Sequence, residues 1–216
     1  MLANLKAEIF GLGTCNKSHS ANCLNRKRVN MPKNKNLTKN DVDVIYKDKF
    51  VELDKEKVET EKKLKGMSFD VVKSPNAVAI LPILGNSILL ERQYRTAINA
   101  FIYEIPAGHI EKSETSKQAA ARELMEETGY VAKEMRFMFG AYTSPGYSTE
   151  HIDFYVAKGF VKGKPKRERT EIIRVEKMEL KKALKLIAEN KITDIKTIAG
   201  ILYYASLLRK QGKLEK

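Results

Sequence analysis

Tryptophan is absent from the chain, and cysteine, histidine and proline are scarce, at two, three and six of 216 residues. These shortages exclude several classes of protein. Cys15 and Cys23 flank His19 in a C-x3-H-x3-C arrangement. Three soft ligands fall one short of a structural zinc site, and without a secretory context two cysteines do not make a disulfide framework. They are read as free thiols in an N-terminal segment. Long apolar runs are missing too. The longest, AVAILPIL at 77–84, is far below the roughly 20 residues needed to cross a bilayer. MLANLKAEIFGLG at the N-terminus has no long apolar core behind a basic cluster, so no secretory signal is expected. The expectations are a cytoplasmic location and no membrane partner.

Acidic residues are in the minority, 27 against 40 basic ones, for a net charge of +13. The excess is uneven. Residues 1–40 carry Lys6, Lys17, Arg26, Lys27, Arg28, Lys33, Lys35 and Lys39 against Glu8 alone, a net +7 of the +13. That segment is rich in Asn and Ser and lacks apolar periodicity, so it reads as a disordered tail. A basic tail attracts polyphosphates, which keeps a nucleic-acid-binding protein among the candidates. No RNA- or DNA-binding motif supports that class, and no specific nucleic acid is expected.

From residue 41 the pattern changes. VDVIYKDKFVELD alternates apolar and polar residues, as a half-buried strand does. KVETEKKLKG and MSFDVVKS give further short runs, with Gly66 marking a turn. NAVAILPILGNSILLERQYR is a hairpin pattern turning at Gly85-Asn86. FIYEIPAG reads as a strand ending at Pro106. After a central helix come strands in MRFMFGAYTS and HIDFYVAKGFV, joined by the turn SPGY. GKPKRERTE is a charged loop, IIRVEKM a strand, and MELKKALKLIAEN and DIKTIAGILYYASLLRK are helices. The expected fold is α/β, a mixed sheet with helices packed on it. The expected division is a basic tail at 1–40, a small N-terminal antiparallel β-sheet at 41–75, the main domain at 76–210 and a short tail at 211–216.

The central helix, about Ser113 to Thr128, starts at a plausible cap, Ser113, and stops at Gly129. In a basic chain it holds Glu123, Glu126 and Glu127 within five positions. Residues four apart lie about 40° apart around a helix. Glu123 and Glu127 therefore share a face, with Glu126 beside them. Ala120, Ala121, Leu124 and Met125 form the apolar stripe. Clustered carboxylates repel by a few tenths of a kcal/mol per pair, which a hard cation such as Mg2+ offsets. Arg122 can pair with Glu114 or a neighbouring carboxylate. A solvated acidic face is the plain alternative for such a cluster.

The wider spacing decides between them. Gly108, five residues, Glu114, seven residues, then Arg122, Glu123, Leu124, Met125, Glu126, Glu127, Thr128, Gly129 and Tyr130 resembles the Nudix box, G-x5-E-x7-R-E-U-x-E-E-x-G-U, with U a bulky apolar residue. Only Tyr130 departs from the usual aliphatic. The resemblance is to the Nudix hydrolases, which hydrolyse a nucleoside diphosphate linked to another group. It implies an α/β/α sandwich and dependence on a divalent metal, Mg2+ or Mn2+. By that resemblance Glu123 and Glu127 are metal ligands, Glu126 is a further ligand or acts through water, and the Ala107 carbonyl is another. Gly108, Glu114 and Arg122 support them.

The flanks narrow the resemblance. ERQYR and YEIPAG before the box, and SPGYSTE after it with Pro145 sixteen positions beyond Gly129, are similar to the ADP-ribose pyrophosphatase subfamily. This implies cleavage of ADP-ribose to AMP and ribose 5-phosphate. Other nucleoside diphosphate sugars or dinucleotides are the alternative substrates. Arg95 would bind a substrate phosphate or the terminal ribose, and Glu104 would contact substrate near its ribose or support the metal. The general base is expected in GKPKRERTE, at Glu171 or Glu168. Some relatives stack adenine on tryptophan; here Tyr46, Phe50 or Tyr94 would have to serve. The resemblance also implies a homodimer whose N-terminal sheets complete each other's sites.

Overall fold

A computed structural model of the chain describes residues 41–59, 61–166 and 172–214. The N-terminal tail with Cys15, His19 and Cys23 lies outside the described residues, as do Glu168 and Glu171.

The described chain opens with a three-stranded antiparallel sheet of β1 (Asp41–Lys47), β2 (Glu52–Lys57) and β3 (Ser68–Lys73) in sequential order. The alternating stretch at 42–54 is two strands, because the chain turns at 48–51, where the Asp48 amide donates to the Val51 carbonyl at 2.8 Å. Residues 61–66 are turn instead of strand. Charged side chains crowd that run, and the Gly66 φ of +81° closes it against β3.

The second sheet is mixed. Its path is β10-β5-β4-β9-β8, with β6 on β5 and β7 on β4. The strands are β4 (Ala77–Leu84), β5 (Ser87–Arg95), β6 (Ala100–Glu104), β7 (Ala107–His109), β8 (Tyr130–Tyr142), β9 (His151–Lys162) and β10 (Ile173–Glu179). β4 and β9 run parallel, and the other pairs are antiparallel. β4 is buried along almost its whole length, which explains its unbroken apolar sequence. Its side chains alternate between two cores. Val78 and Ile80 meet Ala119, Ala120 and Leu124 of α1 (Ser116–Thr128), while Ala79 and Leu81 join the core that holds Ala183 of α2 (Leu180–Ala188) and Ile201 of α3 (Ile195–Lys210). Helices on both faces make the fold an α/β/α sandwich, as expected.

Local chemistry moves some boundaries. The cap of α1 is Thr115, not Ser113: Thr115 and Gln118 form a reciprocal capping box that satisfies two backbone donors at once. Gly129 ends the helix in the left-handed region, as expected. The apolar stripe of α1 runs through Ala119, Ala120 and Leu124, and Ala121 faces solvent. The run FIYEIPAG does not stop at Pro106. Ile105 and Pro106 make a corner at which the chain leaves β5 and resumes beside β4 as β7, with the Pro106 carbonyl accepting from the Ile80 amide at 2.8 Å.

The segment after Ser144-Pro145-Gly146 ties the two sheets together. The Val72 amide donates to the Tyr147 carbonyl at 2.7 Å, and the Thr149 amide donates to the Val72 carbonyl at 3.0 Å. The SPG turn thus docks the N-terminal sheet on the sandwich.

Candidate active site

The site is built around the corner between β6 and β7, with α1 on one side and the first turn of α3 on the other. On the α1 side, Glu127 is 2% exposed, and its Oε2 accepts from the Ala107 amide at 3.0 Å. Helix and corner are joined by a carboxylate with almost no access to bulk water. Glu123 lies over Gly108. A Cβ at position 108 would fall 2.2 Å from the Glu123 carboxylate, so any side chain there would push that carboxylate out of its place.

Arg122 organises the rest. Its Nε and Nη2 donate to Glu114 at 2.7 and 2.9 Å, its Nη1 to Glu123 at 2.8 Å and to Glu126 at 3.0 Å, and Nη2 also to the His109 carbonyl at 3.0 Å. The bidentate Glu114 contact is the strongest form of this pairing. It holds the Glu114 carboxyl below its usual range, against the opposing effect of burial, and raises Arg122 further above its own.

The carboxylates are hard oxygen donors on one helix face, a donor set whose chemistry suits a divalent cation. Among the described residues no three Asp, Glu, His or Cys side chains converge as a ready ligand cage. In this arrangement Arg122 neutralises Glu123 and Glu126, the charges a cation would otherwise take up.

On the other side of the corner, Arg95 ends β5 and Glu104 ends β6. Glu104 is 1% exposed. Its Oε1 accepts from Arg95 Nε and its Oε2 from Arg95 Nη2, both at 2.6 Å. Lys196 of α3 also donates to Oε2. Burial opposes ionisation of Glu104, but the Arg95 hydrogen bonds and the Lys196 charge outweigh it and hold the carboxyl below its usual range. Arg95 is thus a guanidinium fixed on a buried carboxylate, and its hydrogen bond to Glu104 holds its own pKa above the usual value against the opposing effect of burial. Residues 163–166 cover the end of α1: the Lys166 amide donates to the Glu126 carbonyl at 2.8 Å, and Pro165 packs on Gly129. The strand after the charged loop begins beside Arg95, where the Tyr94 amide donates to the Ile172 carbonyl at 3.2 Å.

Residues 73–199 match the family model of the NUDIX domain. The chain belongs to the Nudix hydrolase family. Nudix hydrolases use divalent metal ions, which accords with the oxygen donors on α1. This Nudix hydrolase is 38% identical to the ADP-ribose pyrophosphatase of Bacillus subtilis (strain 168) over 162 residues, 74% of this chain and 87% of that protein. It is 39% identical to the methanol dehydrogenase activator of Bacillus methanolicus over 137 residues, 62% of this chain and 74% of that one. The solved structure of an ADP compounds hydrolase shares the fold, with a TM-score of 0.70 over 83% of this chain and all of that one, at 20% identity.

The structure thus gathers Ala107, Gly108, Glu114, Arg122, Glu123, Glu126 and Glu127 on one side of the corner and Arg95 with Glu104 on the other. Two further residues at this site were not anticipated. Lys196 reaches Glu104 across 92 positions of sequence. Glu91 stands directly opposite Glu104 in the β5–β6 register and is also 1% exposed. A charged residue in an otherwise apolar inward run was the available signal for it. Phe50 stacks on His109 at 5.5 Å and 20°, next to the box glycine. Of the three aromatic candidates, Tyr94 is engaged with Asn99 and Phe101, and Tyr46 is exposed on β1.

Proposed function

We propose that this Nudix hydrolase cleaves the pyrophosphate bond of ADP-ribose, giving AMP and ribose 5-phosphate. One observation carries the reading: an arginine fixed on a buried carboxylate stands on one side of a backbone corner, and the acidic helix stands on the other. A diphosphate bridging the corner meets a cation at one end and the carboxylate cluster at the other. The extent of the likeness to the B. subtilis enzyme supports ADP-ribose as the substrate.

Each residue has a task in this scheme. Arg95 binds substrate phosphate through the donors not engaged with Glu104. Glu123, Glu126 and Glu127, with the Ala107 carbonyl, would hold Mg2+, or Mn2+ in its place. When bound, that ion polarises phosphoryl oxygens and lowers the pKa of water. Arg122 holds the ligand carboxylates in position and stays protonated throughout. A water adds to phosphorus as the bridging P–O bond breaks, and its proton passes to a carboxylate. We assign that role to Glu171, with Glu168 as the alternative. Phe50, exposed and backed by His109 with the Lys49 ammonium over its ring, is the base-stacking surface in place of tryptophan. The molecule acts as a homodimer. β1 is exposed along its whole length, and Val42, Val44, Ile45, Tyr46, Met67 and Phe69 leave an apolar surface on the small sheet, of the kind that marks an interface.

The test is product analysis with ADP-ribose, GDP-mannose and diadenosine polyphosphate offered separately in Mg2+. AMP and ribose 5-phosphate in equal amounts, formed fastest from ADP-ribose, are expected. Faster turnover of GDP-mannose or the dinucleotide would move the assignment to those substrates.

A further inference from the structure

The first turn of α3 contributes more to the site than a docking surface. Its cap, Asp194, accepts from the Thr197 amide at 2.9 Å and the Thr197 hydroxyl at 2.6 Å. The same hydroxyl accepts from the Ile105 amide at 2.8 Å. Thr197 is wholly buried, so this bridge pins the corner that separates Glu104 from Ala107. Mechanically, the attachment is complete without a lysine. Yet Lys196, 13% exposed, contacts both Glu104 and Asp194, the latter at 3.0 Å. Desolvating an ammonium is costly, and an uncharged donor would have served for packing alone.

Charge accounts for it. Arg95 and Lys196 face Glu104 and Asp194, with the buried Glu91 across the β5–β6 pair from Glu104. Without Lys196 the group would be more negative beside Glu127, where an anionic diphosphate has to arrive. Glu104 would also draw more fully on Arg95. The Nε and Nη2 edge of Arg95 is engaged by Glu104, which leaves Nη1 and the outer Nη2 hydrogen as donors on a side chain 43% exposed. Lys196 shares Oε2 with that edge and so lessens the pull of Glu104 on the guanidinium charge.

We infer that Lys196 is a positioning residue for substrate binding, holding Glu104 so that Arg95 keeps its orientation for the diphosphate. This rests on the pyrophosphatase reading above. The test uses the full chain in Mg2+ and the non-hydrolysable α,β-methylene analogue of ADP-ribose, with affinity measured by calorimetry and folding by thermal unfolding. Lys196→Met should weaken binding on the order of fivefold, the effect of one charge at close range in a partly solvated site. Lys196→Arg should retain most of the affinity. Adding Asp194→Asn to Lys196→Met restores the net charge while keeping a good helix cap, and should recover part of the loss. In turnover, KM should rise more than kcat falls. Two results would overturn the inference: Lys196→Met binding as tightly as wild type, or Lys196→Arg binding as poorly as Lys196→Met with no recovery in the double variant. If wild type bound no ADP-ribose analogue but hydrolysed GDP-mannose, the substrate assignment would fall, and the same ratios of KM for GDP-mannose would decide Lys196.

Discussion

A single buried carboxylate shows how much of the site's chemistry is set residue by residue. Glu127 has one oxygen on the Ala107 amide, a bond that glutamine can also accept. Glu127→Gln should therefore keep the fold, judged by circular dichroism, while lowering turnover about 10²-fold or more, comparable to losing a strong electrostatic stabiliser. Near-wild-type turnover at saturating Mg2+ would refute the ligand role. Glu104 gives a pH signature. Its carboxyl is held below its usual value, so its pairing adds stability above the unfolded value of about 4.3 and loses it as the pH falls from there through the folded value. The gap in thermal stability between wild type and Glu104→Gln should be widest near neutrality and shrink below about pH 4; a constant gap from pH 7 to pH 3 would contradict the pairing. The box residues were legible because eight fixed positions at fixed spacing repeat a known pattern. Lys196 was not, since nothing local to DIKT points at a partner 92 positions earlier.

At the scale of elements, local chemistry was easier to read than pairing. The Gly85-Asn86 hairpin and the Gly129 terminator follow from backbone preferences that act within a few residues. The cap at Thr115 was also written in the sequence, as T-x-x-Q, but Ser113 offered a competing hydroxyl two positions earlier. The jump from β6 to β7 could not be read, because it depends on which distant strands receive the chain on either side of Pro106. The charged loop is the element whose role is most open to experiment. Its described flanks meet α1 at Lys166 and β5 at Ile172. Glu171→Gln should lower kcat by roughly 10²–10⁴-fold with little change in KM, as loss of a general base does. Glu168→Gln should do less. A reversed order moves the base to Glu168, and two silent variants would remove the base from this loop.

For the whole molecule, fold class was the most legible property. Apolar runs at strand length and helical periodicity in turn left few arrangements besides a mixed sheet between helices, and β4 with its two cores bears that out. The basic tail holds +7 of the +13 net charge and none of the residues assigned to chemistry. A chain starting at Asn40 should hydrolyse ADP-ribose within a few-fold of the full length. Its retention on immobilised RNA at low salt should fall sharply, because such binding is electrostatic and non-specific. Loss of hydrolysis on truncation would mean that the tail reaches the site or the dimer contact. Tight binding of one RNA by the shortened chain at physiological salt would favour a nucleic-acid role instead.

The edge position of β1 makes time and dilution into experimental variables. Among the described residues the strand is hydrogen-bonded to β2 on one side and to no strand on the other. If a second copy covers that side, amide exchange in β1 should slow as the protein is concentrated, while exchange in β4 stays the same, because mass action protects only what association buries. A thousandfold dilution series read by hydrogen-exchange mass spectrometry makes the comparison within one molecule. Equal β1 exchange at both ends of the series would mean that this surface stays open in solution.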